Sequence, residues 1–253
     1  MWLSLVRIGG ILDLSASDWP GKPCAVVFFA GCNFRCPFCQ NSTLIPIDSG
    51  VEVDISLIAE RLRKALLLVD SLHVTGGECT IQPDGLRQVC MAARELGMSV
   101  GVNTNGSRPD VLKALIEEGL VDHVAMDVKA PLNPEAYSRL TGVDGAWAVK
   151  RVEETIKLCR ASGVKLEVRT TVVPGMIGEE EVASIASGIA ECDYYILNQF
   201  VPSETVLNPD FRKLPATPRE VLLKLARIVY DSGFREVYVR TRERGLEKFH
   251  PLS

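Results

Sequence analysis

Long apolar runs are missing from this sequence. The run "ALLLV" at residues 65–69 is followed at once by Asp70, and no run approaches the length of about 20 residues that crosses a bilayer. The start, "MWLSLVRIGG", lacks the basic segment and long apolar core of a signal peptide. We therefore expect a cytoplasmic protein with no membrane partner.

A basic excess is missing too. The chain has 28 Lys and Arg against 32 Asp and Glu, which gives a net charge of −4 and a pI near 5.5. Because nucleic-acid-binding domains ordinarily carry a broad positive patch, this balance argues against a nucleic-acid partner. The 253 residues, 47% of them hydrophobic, suffice for a soluble α/β domain with a sizeable core.

No Gly/Ser-rich linker, low-complexity tract or exact repeat divides the chain, so we expect one domain. Short β-branched runs alternate with helical periodicity, and six β–α units with a final strand predict parallel strands joined by helices. Asp54 is the predicted N-cap of the first helix. Strands are predicted at 24–31, 71–77, 99–106, 122–129, 164–175, 193–200 and 234–241. Helices are predicted at 54–69, 84–97, 108–119, 134–140, 149–163, 178–190 and 217–233.

The apolar runs of the first five predicted strands each end in a polar or Gly-rich cluster. These clusters are a group of cysteines in "GCNFRCPFCQ" (31–40), "GGE" (76–78), "NTNG" (103–106), "DVK" (127–129) and "RTTVVPG" (169–175). Any one of them could be an ordinary turn, since Gly-Gly and Asn-Gly are good turn formers. Sites in parallel α/β folds form at the carboxyl ends of strands, so the clustering favours a functional site.

A fourth ligand is missing from the cysteine group. Structural zinc is usually held by four ligands in two pairs, and none of the three histidines of the chain lies near the group in sequence. A four-iron cluster ordinarily takes four cysteines, so three would leave one iron open to a substrate or cofactor. The other five cysteines are scattered and are interpreted as small buried residues: Cys24, Cys79, Cys90, Cys159 and Cys192.

The spacing C-x-x-x-C-x-x-C, with an aromatic residue before the last cysteine, resembles the signature of the radical S-adenosylmethionine (SAM) superfamily. "TGGE" (75–78) is similar to that superfamily's GGE motif. The resemblance implies a parallel α/β fold, a partial (β/α)6 barrel at 23–241, with an N-terminal cap or hairpin at 1–22 and a tail at 242–253. It also implies a [4Fe–4S] cluster whose open iron is chelated by the amino and carboxylate groups of SAM.

The same resemblance implies roles for individual residues. The cluster ligands would be Cys32, Cys36 and Cys39, which with Glu78 are the candidate catalytic residues. Phe38 would contact the adenine. The SAM amino group would be bound by Gly76, Gly77 and Glu78, because glycine lets the backbone approach a ligand and a carboxylate suits an ammonium.

A closer resemblance involves residues 15–41, 75–84, 102–112 and 121–132, which look like the glycyl-radical-enzyme activating enzymes. The most similar group is the long form of the anaerobic ribonucleoside-triphosphate reductase activating protein. This implies hydrogen abstraction from a backbone glycine of a partner enzyme, with a flavodoxin- or ferredoxin-type electron donor.

Four strand-end residues take roles from this closer resemblance. Asp127 and Lys129 would face the amino-acid end of SAM, and Asn103 and Thr104 would lie near its ribose or a monovalent cation. Arg169 is a further candidate for the SAM site, from its position at a strand end.

Two residues depart from the family pattern, and other cysteines are missing. Asn103 stands where Asp is usual, which weakens the case for a cation. Cys79 stands where Pro is usual and is interpreted as a small turn residue, since a fourth thiolate would block the open iron. No cysteine separates Cys39 from Glu78, which excludes an inserted ferredoxin-like module there and favours the simple activating enzymes.

Two alternatives stay open. One is a radical SAM enzyme acting on a small molecule, similar to a deazaguanine synthase. The other is a non-catalytic metal- or iron–sulfur-binding module, against which "GGE" and "DVK" argue because an inert cluster needs no SAM-binding groups.

Overall fold

A computed structural model describes residues 5–251, and strands and helices alternate along them. The strands are β1 (Leu5–Ser15), β2 (Cys24–Phe29), β3 (Val51–Asp54), β4 (Ser71–Gly76), β5 (Ser99–Thr104), β6 (His123–Asp127), β7 (Lys165–Val172), β8 (Tyr194–Gln199), β9 (Val237–Thr241) and β10 (Gly245–Lys248). The helices are α1 (Ile55–Ala65), α2 (Pro83–Glu95), α3 (Pro109–Glu117), α4 (Pro134–Thr141), α5 (Gly145–Ser162), α6 (Glu179–Ile189) and α7 (Arg219–Asp231). Every predicted strand and helix is present, so the predicted α/β class is confirmed.

The described residues fall into two compact units. The first comprises residues up to Asn33, Thr43–Thr104 and Arg108–Ala125. The second comprises Phe34–Ser42, Asn105–Ser107 and the chain from Met126 onward. Within residues 5–251 no helix is both long and apolar enough to cross a membrane.

In the first unit the strands lie in the order β5-β4-β2-β1-β3. β2, β4 and β5 are parallel, as predicted, whereas β1 is antiparallel to both β2 and β3. The turn that joins β1 to β2 is closed by Lys22 N donating to Trp19 O at 3.1 Å. The stretch predicted as a cap or hairpin therefore contains an 11-residue strand of this sheet.

In the second unit β7, β8 and β9 are parallel, and β10 is antiparallel to β9. One face of these strands carries buried apolar residues such as Val168, Leu197 and Val239. On that face the Tyr195 ring meets the Phe234 ring, which follows α7, edge to face at 5.4 Å. β10 lies in the stretch that the sequence assigned to a tail.

Short side chains fix where helices begin. The predicted N-cap Asp54 is confirmed, because its carboxylate accepts from Ser56 N at 2.8 Å. Asn133 and Asp144 cap α4 and α5 in the same way, accepting from Ala136 N and Trp147 N. The two caps set the direction of the helical segment that follows "DVK".

The amino ends of the strands of the first unit are filled by three rings. Trp19 stacks on His123 with ring centroids 4.7 Å apart, and His73 lies 6.1 Å from both rings. Gly101 lies between them on β5, and a Cβ there would stand 2.7 Å from His73 Nδ1 and 3.1 Å from the Trp19 ring. The absence of a side chain at Gly101 makes room for the tryptophan.

We predict that Gly101→Ala lowers the stability of the protein. A methyl group forced against two buried rings costs about 1–3 kcal/mol, which should lower the melting temperature by several degrees. Thermal unfolding followed by circular dichroism measures this. Gly10→Ala is the matched control, because a Cβ at that strand position meets nothing within 4 Å. Equal melting temperatures for both variants would show that the ring cluster is loosely packed.

Candidate functional site

The end of β4 is bonded to the loop that leads to the first cysteine. Gly77 N donates to Phe29 O at 2.9 Å, and Glu78 N donates to Gly31 O at 2.7 Å. A Cβ on Gly76, whose φ is +125°, would collide with the backbone of Phe29, and a Cβ on Gly77 would collide with Gly31 O. The fold therefore requires glycine at both positions, because the two strand ends approach each other too closely for a side chain.

The first cysteine of the group continues this bonding pattern. Gly31 N donates to Leu44 O at 2.7 Å, and Cys32 N donates to Ile45 O at 3.0 Å. Cys32 is partly exposed. We name residues 31–42 the cysteine loop. The backbone at Cys32 is thus held on one side by Ile45, which follows this loop, and on the other side, through Gly31, by Glu78 of the GGE motif.

Glu78 is a buried carboxylate, with 1% of its surface exposed. Its Oε1 accepts from Thr104 Oγ1 at 2.8 Å and from Thr80 N at 3.2 Å, and the Thr80 hydroxyl also donates to it. These bonds fix the orientation of the carboxylate, which a charged group used for binding requires. They also bring two predicted residues together, because Thr104 is bonded to Glu78.

Asn103 has a buried acceptor at the carboxyl end of β5. Its Nδ2 donates to Thr75 Oγ1 at 3.0 Å, while Oδ1 is buried and has no hydrogen-bond partner within the described chain. A buried amide oxygen is seldom left unpaired, so this atom points to a donor on a ligand or on water. The arrangement fits a hydroxyl group such as those of a ribose.

Cys79 lies in the same region and is fully buried. Its thiol donates to Asn103 O at 3.4 Å. Burial, with the Glu78 charge in addition, raises the pKa of this thiol well above its ordinary value. A protonated thiol that already makes an internal hydrogen bond suits the interpretation of Cys79 as a packed turn residue.

The other two cysteines of the group lie in the second unit. Cys39 N donates to Cys36 O at 3.0 Å, which closes a tight turn around Pro37. Phe38, inside this turn, is buried, with 6% of its surface exposed. Arg35 N donates to Thr141 O at 2.8 Å and anchors the start of the segment to the end of α4.

The loop after β8 is bonded to the cysteine loop at four places. Leu207 N and Asn208 N donate to Cys39 O and Pro37 O at 3.0 and 2.9 Å. Two side chains of the cysteine loop bond the opposite way, and these bonds are Gln40 Nε2 to Val201 O at 2.6 Å and Ser42 Oγ to Thr205 O at 2.5 Å. We name residues 201–208 the clamp loop.

Asp127 and Lys129 form an ion pair at the end of β6, with Nζ and Oδ2 3.2 Å apart. Both side chains are largely buried. Burial raises the pKa of the Cys39 thiol, the Lys129 charge acts in the opposite direction, and Asp127 raises it further. The predicted D-x-K pair and the last cysteine of the group are therefore electrostatic neighbours.

Tyr137 supports Lys129 from behind. Its ring is fully buried, and its hydroxyl accepts from Lys129 N at 3.4 Å. Burial raises the pKa of this phenol, so the hydroxyl stays neutral. The sequence analysis did not identify Tyr137, Thr80 or the clamp loop. Tyr137 follows "DVK" at a spacing set by the N-cap of α4, and that spacing was a signal of its role.

Arg169 lies inside β7, three residues before the carboxyl end where the sequence placed it, and is 5% exposed. It forms an ion pair with Glu167, which is fully buried on the same strand face. Val128 N donates to Arg169 O at 2.9 Å, so Arg169 is beside the segment that carries Asp127 and Lys129. The ion pair between Arg169 and Glu167 is therefore a buried one.

The structure thus divides the predicted residues into two sets. The first unit holds Cys32, Gly76, Gly77, Glu78, Asn103 and Thr104, and the second holds Cys36, Phe38, Cys39, Asp127, Lys129 and Arg169. Among residues 5–251, no three His, Cys, Asp or Glu side chains are grouped around a position for a single metal ion. In a four-iron cluster each thiolate binds a different iron, so the cluster does not require three side chains around one metal position.

Comparison with known proteins identifies the family. The model described as "Radical SAM superfamily" matches residues 26–186. A protein of Methanocaldococcus jannaschii, provisionally named a glycyl-radical enzyme activating enzyme, is 34% identical over 223 residues, 87% of this chain and 90% of that protein. The pyruvate formate-lyase-activating enzyme of Clostridium pasteurianum is 27% identical over 183 residues, 69% and 72% of the two chains.

A solved structure agrees on the fold. The radical SAM methyltransferase from Sphaerobacter thermophilus matches with a TM-score of 0.66 at 15% identity, over 88% of this chain and 67% of that one. The chain therefore belongs to the radical SAM superfamily of enzymes, in the branch of the glycyl-radical enzyme activating enzymes. Membership implies a [4Fe–4S] cluster and SAM as cofactors.

We predict that the double variant Gln40→Ala, Ser42→Ala loosens the clamp loop. Each lost hydrogen bond contributes about 1 kcal/mol, so the amides of Leu207 and Asn208 should exchange with solvent faster. Hydrogen–deuterium exchange measures this. The control is Ser49→Ala, since the Ser49 hydroxyl bonds only locally, to Pro46 O at 2.6 Å. Unchanged exchange in the double variant would mean that other contacts hold the loop.

Proposed function

We propose that this enzyme removes a hydrogen atom from a backbone glycine of a partner protein, a glycyl-radical enzyme. We propose further that the partner is an anaerobic ribonucleotide reductase. The observation that carries the proposal is the likeness to an activating enzyme over 87% of the chain. The long motif resemblance to the reductase activating proteins supports the finer assignment.

In this proposal the cluster is held by Cys32, Cys36 and Cys39. A thiol must lose its proton to bind iron, and the Lys129 charge opposes the rise that burial gives to the pKa of Cys39. Cys79 is left out, because its thiol is buried and donates to Asn103 O. The three-thiolate set leaves the fourth position of the cluster to SAM.

Each unit, taken by itself, has groups that suit SAM as a ligand. Asn103 offers a buried acceptor without a partner, and Asp127 with Lys129 offers paired charges for an ammonium and a carboxylate. Glu78, oriented by Thr80 and Thr104, is assigned to the SAM amino group. The remaining assignments are Gly76 and Gly77 to the same amino group, Phe38 to the adenine, Thr104 to the ribose and Arg169 to the SAM site.

The chemistry supplied by the bound cofactors is a one-electron cleavage of SAM that yields a radical able to take a hydrogen atom. The chain's own residues bind and orient: Glu78 and Lys129 hold opposite charges in fixed positions, and Tyr137 keeps the Lys129 backbone in place. The electron donor is proposed to be of the flavodoxin or ferredoxin type. Binding of a monovalent cation at Asn103 and Thr104 stays a prediction.

We predict that Cys32→Ala, Cys36→Ala and Cys39→Ala each lose stable cluster binding. Without one of three thiolates the brown chromophore should fade, and iron should fall well below the about four atoms per chain of a cubane. Iron analysis and absorption after anaerobic reconstitution measure this. Cys79→Ala is the matched control and should keep its iron. A triple cysteine variant with full iron occupancy would contradict the ligand assignment.

We predict that the reduced, cluster-loaded enzyme with SAM generates a glycyl radical on the anaerobic ribonucleotide reductase of the same organism. The measurement is electron paramagnetic resonance under anaerobic conditions, where a glycyl radical gives a doublet. The control omits SAM. SAM turnover driven by a small metabolite, with no radical on any co-encoded partner, would contradict the proposal and favour the small-molecule alternative.

A further inference from the structure

Three polar side chains form a row across the second unit. Thr171, Asn198 and Arg240 are each the last residue but one of their strands, β7, β8 and β9. The strand register pairs Thr171 with Asn198 and Asn198 with Arg240. All three are half-buried. Because paired residues of adjacent strands point to the same side, the row presents a hydroxyl, an amide and a guanidinium side by side.

The row lies on the same strand face as the buried Arg169. Residues of a strand alternate between its two faces, so Thr171 shares a face with Arg169 two residues earlier. Tyr195 and Leu197 of β8 are on the other face, where Tyr195 meets Phe234 after α7. Asn198 therefore points away from that apolar face, to the side that carries the predicted SAM-site residue Arg169.

The row is also close to the D-x-K pair along the sheet. Val128 N bonds to Arg169 O, so the end of β6 is next to β7. Neighbouring strands are about 4.8 Å apart, which puts the β8 position of Asn198 about 10 Å from the β6 position of Asp127. A short peptide segment bound at Asn198 would therefore lie near the residues that are assigned to SAM.

Asn198 has an unsatisfied acceptor. Its Oδ1 is buried and finds no hydrogen-bond partner in the described part of the chain. The adjacent Gln199 shows the contrast, since its Nε2 donates to Thr217 O at 2.9 Å and its Oε1 accepts from Arg242 N at 2.8 Å. Both polar ends of Gln199 serve the fold. The buried oxygen of Asn198 calls for a donor that the fold does not supply.

We propose that Thr171, Asn198 and Arg240 form a subsite for the backbone of the polypeptide that carries the target glycine, with Asn198 Oδ1 accepting a backbone N–H. The inference rests on the proposed function and deepens it by naming how the substrate is recognised. A peptide backbone offers N–H donors and carbonyl acceptors in alternation. The amide and hydroxyl of the row match the donors, and the guanidinium matches the acceptors.

An acidic metabolite fits the row less well. A carboxylate or phosphate brings acceptors only, so it would leave the buried Asn198 oxygen without a donor. Arg169, the second guanidinium on this face, is already bonded to the buried Glu167. One of the two guanidinium groups on this face is thus held by a carboxylate, which makes the face less suited to an anion.

The test compares two variants of Asn198 in the cluster-loaded enzyme. Asn198→Leu removes the acceptor at nearly constant volume, and Asn198→Asp keeps an oxygen at the Oδ1 position. Tyr194→Phe is the matched control, on the same strand face four residues away. Two readouts are taken: SAM cleavage by dithionite-reduced enzyme without partner, and glycyl radical formation on the reductase. A synthetic peptide that copies the glycine loop of the reductase serves as competitor.

The expected result is a partner-specific loss. Asn198→Leu should lower the rate of radical formation at limiting reductase by about tenfold, the effect of one lost buried hydrogen bond. It should weaken inhibition by the peptide to a similar extent and leave SAM cleavage without partner unchanged. Asn198→Asp should retain more radical formation than Asn198→Leu, and Tyr194→Phe should resemble the unmodified enzyme.

Four results would overturn the inference. Radical formation by Asn198→Leu at the unmodified rate would do so, and so would a parallel fall in SAM cleavage without partner. Lower radical formation by Asn198→Asp than by Asn198→Leu would mean that the occupant is an acceptor or an anion. No glycyl radical with the unmodified enzyme would overturn the proposed function itself, and the inference with it.

Discussion

The hydrogen bonds between the ends of β2 and β4 are the constraint on which the rest of the site depends. Gly77 N and Glu78 N donate to Phe29 O and Gly31 O, and these bonds require strand ends too close for a Cβ at Gly76 or Gly77. As a result the segment that enters the cysteine loop and the segment that carries Glu78 form one rigid backbone unit. A side chain at either glycine would separate them.

In the second unit, too, neighbouring residues hold the candidate site residues in place. Lys129 is fixed by its ion pair with Asp127 and by the Tyr137 hydroxyl on its backbone. Burial raises the pKa of the Cys39 thiol, and the nearby Lys129 charge opposes part of that rise. The clamp loop holds the cysteine turn through backbone carbonyls. The charge near Cys39 is thus set by Asp127 and Lys129, and the backbone of the cysteine turn is held by the clamp loop.

The parallel core and its motifs were predictable from the sequence, because its strands are apolar runs and the first five of those runs end in a recognisable cluster. Prediction failed for strands whose pattern is weak: β10, "GLEK", has little apolar character, and β3, "VEVD", is exposed at Val51. The clamp loop was also missed, since most of its bonds go to backbone carbonyls that any sequence supplies. Asn198 lies inside an apolar-looking strand, and only the register shows its neighbours.

Three thiolate ligands should leave one position of the cluster to SAM. Pulsed electron–nuclear double resonance tests it directly, on reduced enzyme mixed with SAM that carries ¹⁵N in its amino group. We expect a ¹⁵N hyperfine coupling to the reduced cluster, present also in Cys79→Ala. A paramagnetic cluster with SAM bound but no such coupling would contradict the account.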